Sequence, residues 1–408
     1  MTGILIAYLV FLLILGTLLG TRSKKDEDFY VASRTMGPLL VGASLLATSI
    51  GGSSLFVTAD LISSHGPSGA VLEIGGAAGL LVLGLFLVPR VRRTNAYSMA
   101  GVLGQFYGPG VRRWGAGLLA VAEILWFALL VRALSEAVQP SWLLYVAVLA
   151  VVIYTSAGGQ WAVFGTDLLQ SGLIFGGILT AVLLVSRPAP FHPSPVAFSG
   201  MTSLFALAFL AHMAGSDIFS RILSARDIAA ARWGCVMAAA GKLIWACLMV
   251  AAFHGIPAEH AFQTWLKGLP AGVAVLVLLA AVSALLSSMD TVLMSATTFF
   301  QHDLLHLSFQ TWTSRIVTGL LGTAGVALFL CSGSLLGLFT LSYAFFSGAF
   351  ILPVLFGIAF ARRASRTTLV IPGMAAGGIT AAAWNLWIGL AVSGLAAAVA
   401  FTGGEHRD

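Results

Sequence analysis

The sequence predicts an all-α integral membrane protein, on three observations. Of its 408 residues, 59% are hydrophobic and only 9% are charged, whereas a soluble domain carries about 25% charged residues. Apolar runs of about 20 residues, the length at which a helix crosses a bilayer, recur from one end of the chain to the other. No stretch alternates apolar and polar residues over about 10 positions, as the strands of a transmembrane β-barrel do.

These runs place helices at 3–20, 37–63, 70–90, 113–138, 141–156, 162–186, 199–221, 232–254, 270–304, 312–331, 335–360 and 370–402. The last is long enough for one tilted helix or for a short hairpin. The first has no basic leader before it and no small-residue cleavage site after it, so it reads as a span rather than a signal peptide. The chain, 1–408, reads as a single membrane domain. Cys235, Cys247 and Cys331 lie apart in apolar segments and read as inert thiols.

The net charge of +6 reads as topology rather than as nucleic-acid binding. Most of the 21 Lys and Arg fall in five loops, around Arg22 to Arg34, Arg90 to Arg113, Arg221 to Arg232, Arg315, and Arg362 to Arg366. The positive-inside rule makes those loops cytoplasmic. The N-terminus is then outside, and the protein is a multi-pass one of the cell inner (plasma) membrane.

After the first helix, ten spans divide into two sets of five, 37–186 and 199–360. Each set opens on a span interrupted by small and polar residues, "SLLATSIGGSS" (44–54) in the first and "AHMAGSDIFS" (211–220) in the second. The two interrupted spans run through the membrane in opposite directions. Paired breaks at corresponding positions of two inverted halves point to the binding site of a secondary transporter. Gly51 and Gly52 can leave the helix cheaply because glycine tolerates non-helical dihedrals. The carbonyls they free are tolerable at membrane depth only where they line a cavity or bind something. The other use of such glycines is close helix packing.

The stretch "SALLSSMDTVLMSATTFFQHDLL" (283–305) is polar at nearly every turn. Ala284, Ser287, Ser288 and Thr291 are spaced i, i+3, i+4, i+7 and share one helical face. Two hydroxyls and a nearby carbonyl are hard, uncharged oxygen ligands, which suit an alkali cation better than zinc or copper. In "LLATSIGG", Ala47 and Ile50 stand three apart, so both carbonyls can turn into one gap. The serines can instead bond back to carbonyls of their own helix. "HDLLH" (302–306) has the His spacing of a zinc-protease motif, but with Asp in place of Glu and no evident third ligand.

Five motifs, in their joint order and spacing, resemble the sodium/solute symporter family of sodium-coupled proline, pantothenate, sugar and sialic acid carriers. They are "KDEDFYVASRTMG" (25–37), "SLLATSIGGSS" (44–54), "YTSAGGQWAVFGTDLLQ" (154–170), "SRILSARDIAAAR" (220–232) and "SALLSSMDTVLMSATTFFQHDLL" (283–305). The resemblance implies a LeuT-type fold: a 5+5 inverted repeat with one preceding helix and one or two following. It implies a sodium-coupled secondary active symporter, not an enzyme, that imports a small polar solute by alternating access. Na+, the solute and the lipid bilayer are then its partners, with no nucleic acid.

Residue by residue, the resemblance implies a sodium site made of the carbonyls of Ala47, Ile50 and Ala284 and the hydroxyls of Ser287 and Ser288. Asp167 matches an acidic residue of the fifth core helix that binds a second sodium in some members and lies on the ion's inward path in others. Asp290 and Thr291 stand where those members place further ligands. The alternative for Asp167 is a carboxylate satisfied by a helix N-terminus. Toward solute the resemblance implies Ser49, Gly51 and Ser53 at the first break, His212 and Ser216 at the second, and Arg132 on the third core helix. Sialic acid carriers clamp a carboxylate with an arginine on that helix, a bidentate task that suits guanidinium. Arg132 therefore favours an amino acid or small carboxylate over a sugar, although it can also pair with Glu136 one turn on. Glu73, Glu123 and Lys242 are further intramembrane charges, with Lys242 expected to pair with a buried carboxylate. Asp217 is expected to cap its helix or to pair with Arg221, and Phe209 and Tyr343 are candidate gating aromatics. A transporter-like sensor signalling to a separate partner and a proton-coupled carrier are the alternative functions.

Overall fold

Every regular element of the computed structural model is a helix; the model describes residues 2–185, 198–256, 260–307, 311–332, 335–360 and 362–402. The chain opens with α1 (Thr2–Gly20), a short α2 (Asp26–Val31), and then α3 (Pro38–Ile50) and α4 (Gly52–His65). α5 (Val71–Val82) continues through a π-helical turn at 83–87 into α6 (Val88–Arg93). α7 (Met99–Tyr107) and α8 (Pro109–Ala137) follow, and then α9 (Ser141–Val185). The second half holds α10 (Phe198–Ala214), α11 (Ser216–Ser224), α12 (Ile228–Phe253), α13 (Ala261–Lys267) and α14 (Ala271–Thr297). α15 (Thr311–Cys331), α16 (Leu335–Phe346), α17 (Leu352–Phe360), α18 (Val370–Ala383) and α19 (Leu386–Ala400) complete it. Among the described residues, nine helical stretches are long and apolar enough to cross a membrane.

Local sequence sets many of the helix ends. Pro38 and Pro109 occupy first-turn positions, where a missing N–H costs nothing. Ser98, Asp227 and Asn385 cap α7, α12 and α19 by accepting backbone N–H bonds. The run at 370–402 is two short helices, α18 and α19, packed on each other with a break at Trp384 and Asn385. The expected spans 141–156 and 162–186 are the two arms of α9, which turns at Gly159 (φ 56°). A Cβ at Gly159 would lie 2.6 Å from the carbonyl oxygen of Phe29, so glycine is needed both for its dihedral and for that approach.

Both interruptions read from the sequence are present. Gly51 separates α3 from α4, and Gly215 separates α10 from α11. The three π-helical segments, at 83–87, 298–304 and 347–351, carry no mark in the apolar pattern and are a feature the sequence reading lacked.

Buried apolar side chains form two large clusters. One gathers α1, α4 and the first half of α14. The other gathers α7, α11, α17 and α18. Between them lies a layer of buried polar residues that includes Ser44, Thr48, Asp167, Arg221 and Thr291. The outer surface stays apolar, with Phe11, Phe86, Trp114, Leu183 and Trp384 all at least half exposed, as lipid-facing positions are. The loops beside the second cluster are the basic ones. Arg34 donates to the carbonyls of Asn95, Ala96 and Leu223, Arg92 donates to Leu223, and Arg112 pairs with Asp303 at 2.8 Å. The loop after α17 joins the same end, through the N–H of Ala364 on the carbonyl of Phe106.

Candidate functional site

α3 stops at Ile50 because Gly51 takes a non-helical conformation (φ 15°, ψ 135°), and α4 restarts on its own hydrogen bonds. α14 packs into this gap. A Cβ on Gly51 would lie 2.9 Å from Ser288 Oγ and 3.0 Å from the Thr48 carbonyl, so only glycine lets the two helices approach. Ser287 Oγ lies 3.2 Å from the Ala47 carbonyl and 3.1 Å from that of Ala284. Ser288 Oγ lies 3.4 Å from the Thr48 carbonyl and 3.1 Å from that of Ala284. Two hydroxyl protons thus face three carbonyls, and Ala47, Ala284, Ser287 and Ser288 are at most 2% exposed. Acceptors outnumber donors in a dry place, which favours a cation. Oxygens 3.1–3.4 Å apart match the edges of an octahedron with ion–oxygen distances of about 2.2–2.4 Å, close to the ~2.3–2.6 Å of oxygen-ligated calcium. Ile50 is buried at the tip of α3, while the contacts across the break run to Ala47 and Thr48.

One test belongs here. Gly51→Ala is expected to displace Ser288 and weaken sodium-induced thermal stabilisation by about tenfold in sodium concentration, an effect of roughly 1.4 kcal/mol. Gly172→Ala, where an added Cβ meets nothing within 4 Å, is the control and should leave the sodium midpoint unchanged.

Beside this gap, Asp167, Thr291 and Asp290 converge as expected, but around a residue the sequence reading put elsewhere. Arg221, counted with the basic loops, has a side chain only 1% exposed. Its guanidinium donates to Asp167 Oδ2, to Ser44 Oγ and to Thr48 Oγ1, each at 2.9 Å, and also to the Thr291 hydroxyl. Arg221 therefore pairs with Asp167 on α9 rather than with Asp217 one turn away. Asp167 also accepts the Ser44 hydroxyl at 2.5 Å, so it is no helix-terminal carboxylate. Asp290 Oδ2 accepts from Tyr154 at 2.8 Å and from Thr166 at 3.2 Å. Arg221 follows Ile218 and Phe219 in an amphipathic half-helix, and only the fold shows that the second break turns its face inward.

On the other side of the first break lies a cavity. Ser49, Gly51, His212 and Ser216, four of the expected solute residues, line it together with Glu123, Trp126, Asp217 and Tyr343. Glu123 accepts the Ser216 hydroxyl. The rings of Trp126 and Tyr343 stand 4.1 Å apart. Next to the cavity Lys242 is fully buried, paired with Glu73 at 2.5 Å, and it donates to the Ser49 carbonyl at 2.8 Å. Lys242 thus has the carboxylate expected for it and also holds the frayed end of α3.

Arg132 is a correction. It does not line this cavity; it lies 3.7 Å from Glu136, one turn on, with its side chain 34% exposed. Nine residues separate it from Glu123, which at 100° per residue puts the two on opposite faces of α8. The side chain of Ser53 lies outside the described residues. Asp217 lines the cavity from the first turn of α11, whose N-cap is Gly215, and its carboxylate also accepts backbone N–H at that end. Phe209 stacks on Phe205, and so is an ordinary packing residue. His302 sits against Arg112 and Asp303, and among the described residues no three metal-ligating side chains converge. Trp126 was missed by sequence reasoning; its i+3 spacing from Glu123 was the signal that it shares a face.

Comparison with known proteins gives the following. Residues 29–192 match the model of the sodium:solute symporter family. The human high affinity choline transporter 1 is 25% identical over 384 residues, covering 79% of this chain and 65% of that protein. The human sodium/glucose cotransporter 4 is 27% identical over 206 residues, covering 47% of this chain and 30% of that protein. The chain thus spans just under two thirds of the length of the choline transporter. Among solved structures, a Na+-coupled sialic acid symporter in a substrate-bound outward-open state superposes with a TM-score of 0.80, at 17% identity, over 98% of this chain and 96% of that one. A nucleobase-cation-symport-1 family transporter in a closed conformation superposes with a TM-score of 0.55, at 16% identity, over 91% and 93%. At these identities the superpositions establish the fold, which is the LeuT-type arrangement.

Proposed function

We propose that this chain is a member of the sodium:solute symporter family, whose model matches residues 29–192, and that it is a sodium-coupled secondary active symporter that imports a small polar solute by alternating access. The observation that carries the reading is the convergence of Ser287 and Ser288 with the carbonyls of Ala47, Thr48 and Ala284 across the helix break. Ala47 and Thr48 turn carbonyls to α14, while Thr48, Ser49 and Gly51 wall the solute cavity. Sodium on one side of the break therefore orders the residues that meet solute on the other, and solute must strengthen sodium binding by the same factor. At 100 mV and a tenfold gradient one sodium supplies about 2.3 plus 1.4 kcal/mol, enough for roughly a 500-fold gradient of a neutral solute.

The two five-helix repeats fall at 37–186 and 199–360, with the basic end cytoplasmic and the N-terminus outside. Asp167 and Thr291 are engaged by the Arg221 guanidinium, which supports a place on the ion's inward path rather than a second sodium site. The named relatives carry choline and glucose, and the named structural neighbour carries sialic acid. These solutes differ in charge, so the solute class rests on this cavity's own chemistry. Arg132 was the ground for a bare carboxylate, and its pairing with Glu136 removes that ground; the ammonium of an amino acid remains compatible.

The test is proteoliposome counterflow with a panel of labelled solutes, in sodium and in potassium at equal ionic strength. Sodium-dependent exchange of at least one solute is expected. Ligand binding without exchange would instead indicate the sensor, and exchange driven equally by a pH gradient in potassium would indicate the proton-coupled carrier.

A further inference from the structure

The charge of the central cavity points to the charge of its solute. We propose that the solute carries an ammonium group, quaternary or protonated, seated against Glu123 and beside the contacting rings of Trp126 and Tyr343; this rests on the symport reading and names the class of solute that site takes. Glu123 is 5% exposed and bonds only the Ser216 hydroxyl among the described residues. Asp217 lines the same space and makes no ion pair among those residues. The buried cations nearby are already neutralised, Arg221 by Asp167 and Lys242 by Glu73. What remains facing the cavity is two carboxyl groups with no ion pair among the described residues.

The N-terminus of α11 also opens here, at Gly215 and Ser216. A helix N-terminus contributes about half a positive charge and would welcome a solute carboxylate. In this protein that place is taken by the chain's own acids, Asp217 in the first turn and Glu123 on the Ser216 hydroxyl. Neither carboxyl group has a cation of its own among the described residues. A buried carboxyl group ionises only at a cost unless a cation arrives beside it, so a cationic solute is the guest that this pair rewards. The aromatic pair suits the same guest. Trp126 and Tyr343 have centroids 4.1 Å apart and planes tilted by 47°, so they do not stack flat on each other. A cation over an aromatic face is held by the ring quadrupole, most strongly by tryptophan.

The test uses the purified full-length chain and follows thermal stabilisation and tryptophan fluorescence. The probes are choline, proline, lactate and glucose, each in sodium and in potassium at equal ionic strength. Choline or proline should bind in a sodium-dependent manner, and lactate and glucose should not. Glu123→Gln should weaken that binding by roughly 30-fold, Glu123→Asp should restore part of it, and Trp126→Ala should cost about tenfold. Sodium binding in the absence of solute should persist in every variant, which shows that each one folds. Tightest binding of lactate or glucose overturns the proposal. So does ammonium binding indifferent to Glu123→Gln, or failure of both choline and proline to bind while sodium still stabilises the chain. Ammonium binding that depends on Glu123 but ignores sodium keeps the solute class and rejects the coupling.

Discussion

With Ser287 and Ser288 both replaced by alanine, the protein is expected to fold and to lose its response to sodium. Each hydroxyl bridges from α14 to the broken end of α3, and each also reaches the Ala284 carbonyl of its own helix. The two uses set apart in the sequence, ion binding and back-bonding, are thus made by the same atoms. Removing both hydroxyls strips the Ala47 and Thr48 carbonyls of a donor across the gap, at a cost of about 1–3 kcal/mol each if they stay dry. Sodium binding loses two of its ligands, for which a loss of about 100-fold or more, at 1.4 kcal/mol per tenfold, is expected. Thermal unfolding of the purified protein against sodium concentration, with potassium holding ionic strength constant, measures both effects. The wild-type chain should be stabilised progressively by sodium, and the double variant should give a flat line. A sodium midpoint in the double variant equal to that of the wild type would mean that the serines serve packing alone and that the ion binds elsewhere.

Arg221→Met is expected to cause the largest loss of stability of any single side-chain change. Its guanidinium joins α11 to α3 through Ser44 and Thr48, to α9 through Asp167, and to α14 through Thr291. The partners Arg221 and Asp167 are both essentially free of solvent. Removing the cation leaves Asp167 buried and charged, which costs about 3–5 kcal/mol. The double change Arg221→Met with Asp167→Asn removes both charges and should recover much of that loss, so the pair should be strongly non-additive. Arg221→Lys should recover little, because one ammonium cannot spread its donors over three helices as the planar fork does. Denaturation midpoints of five proteins in the same detergent, these variants with Asp167→Asn alone and the wild type, decide the point. Equal, additive losses would show that Arg221 acts through apolar packing of its stem and not through the carboxylate.

Much of this was legible along the chain. The apolar runs, their number and the basic loops follow from hydropathy and charge, which require no partner segment to be read. The two breaks at Gly51 and Gly215 follow from local glycine chemistry. The serines of the proposed ion site follow from the i, i+3, i+4 spacing, because helical periodicity alone puts Ala284, Ser287 and Ser288 on one face. Arg221 and Arg132 were not legible in the same way. The sequence presents both as cations near the ends of apolar stretches, and their environments differ through packing. The half-helix break at Gly215 turns Arg221 into the bundle. The rotation of α8 that faces Glu123 and Trp126 to the cavity turns Arg132 to the opposite side.

The sequence by itself determined a helical membrane protein with two interrupted helices and a row of side-chain hydroxyls on one face of a third, since these depend on the local periods of one chain segment. Tertiary structure alone decided which charges neutralise one another: Arg221 with Asp167, Lys242 with Glu73, and Glu123 with no cation among the described residues. Those pairings join residues 54 and 169 positions apart. Coulombic energy inside a membrane protein depends on distance and desolvation in three dimensions, and no pattern within a single helix carries that information.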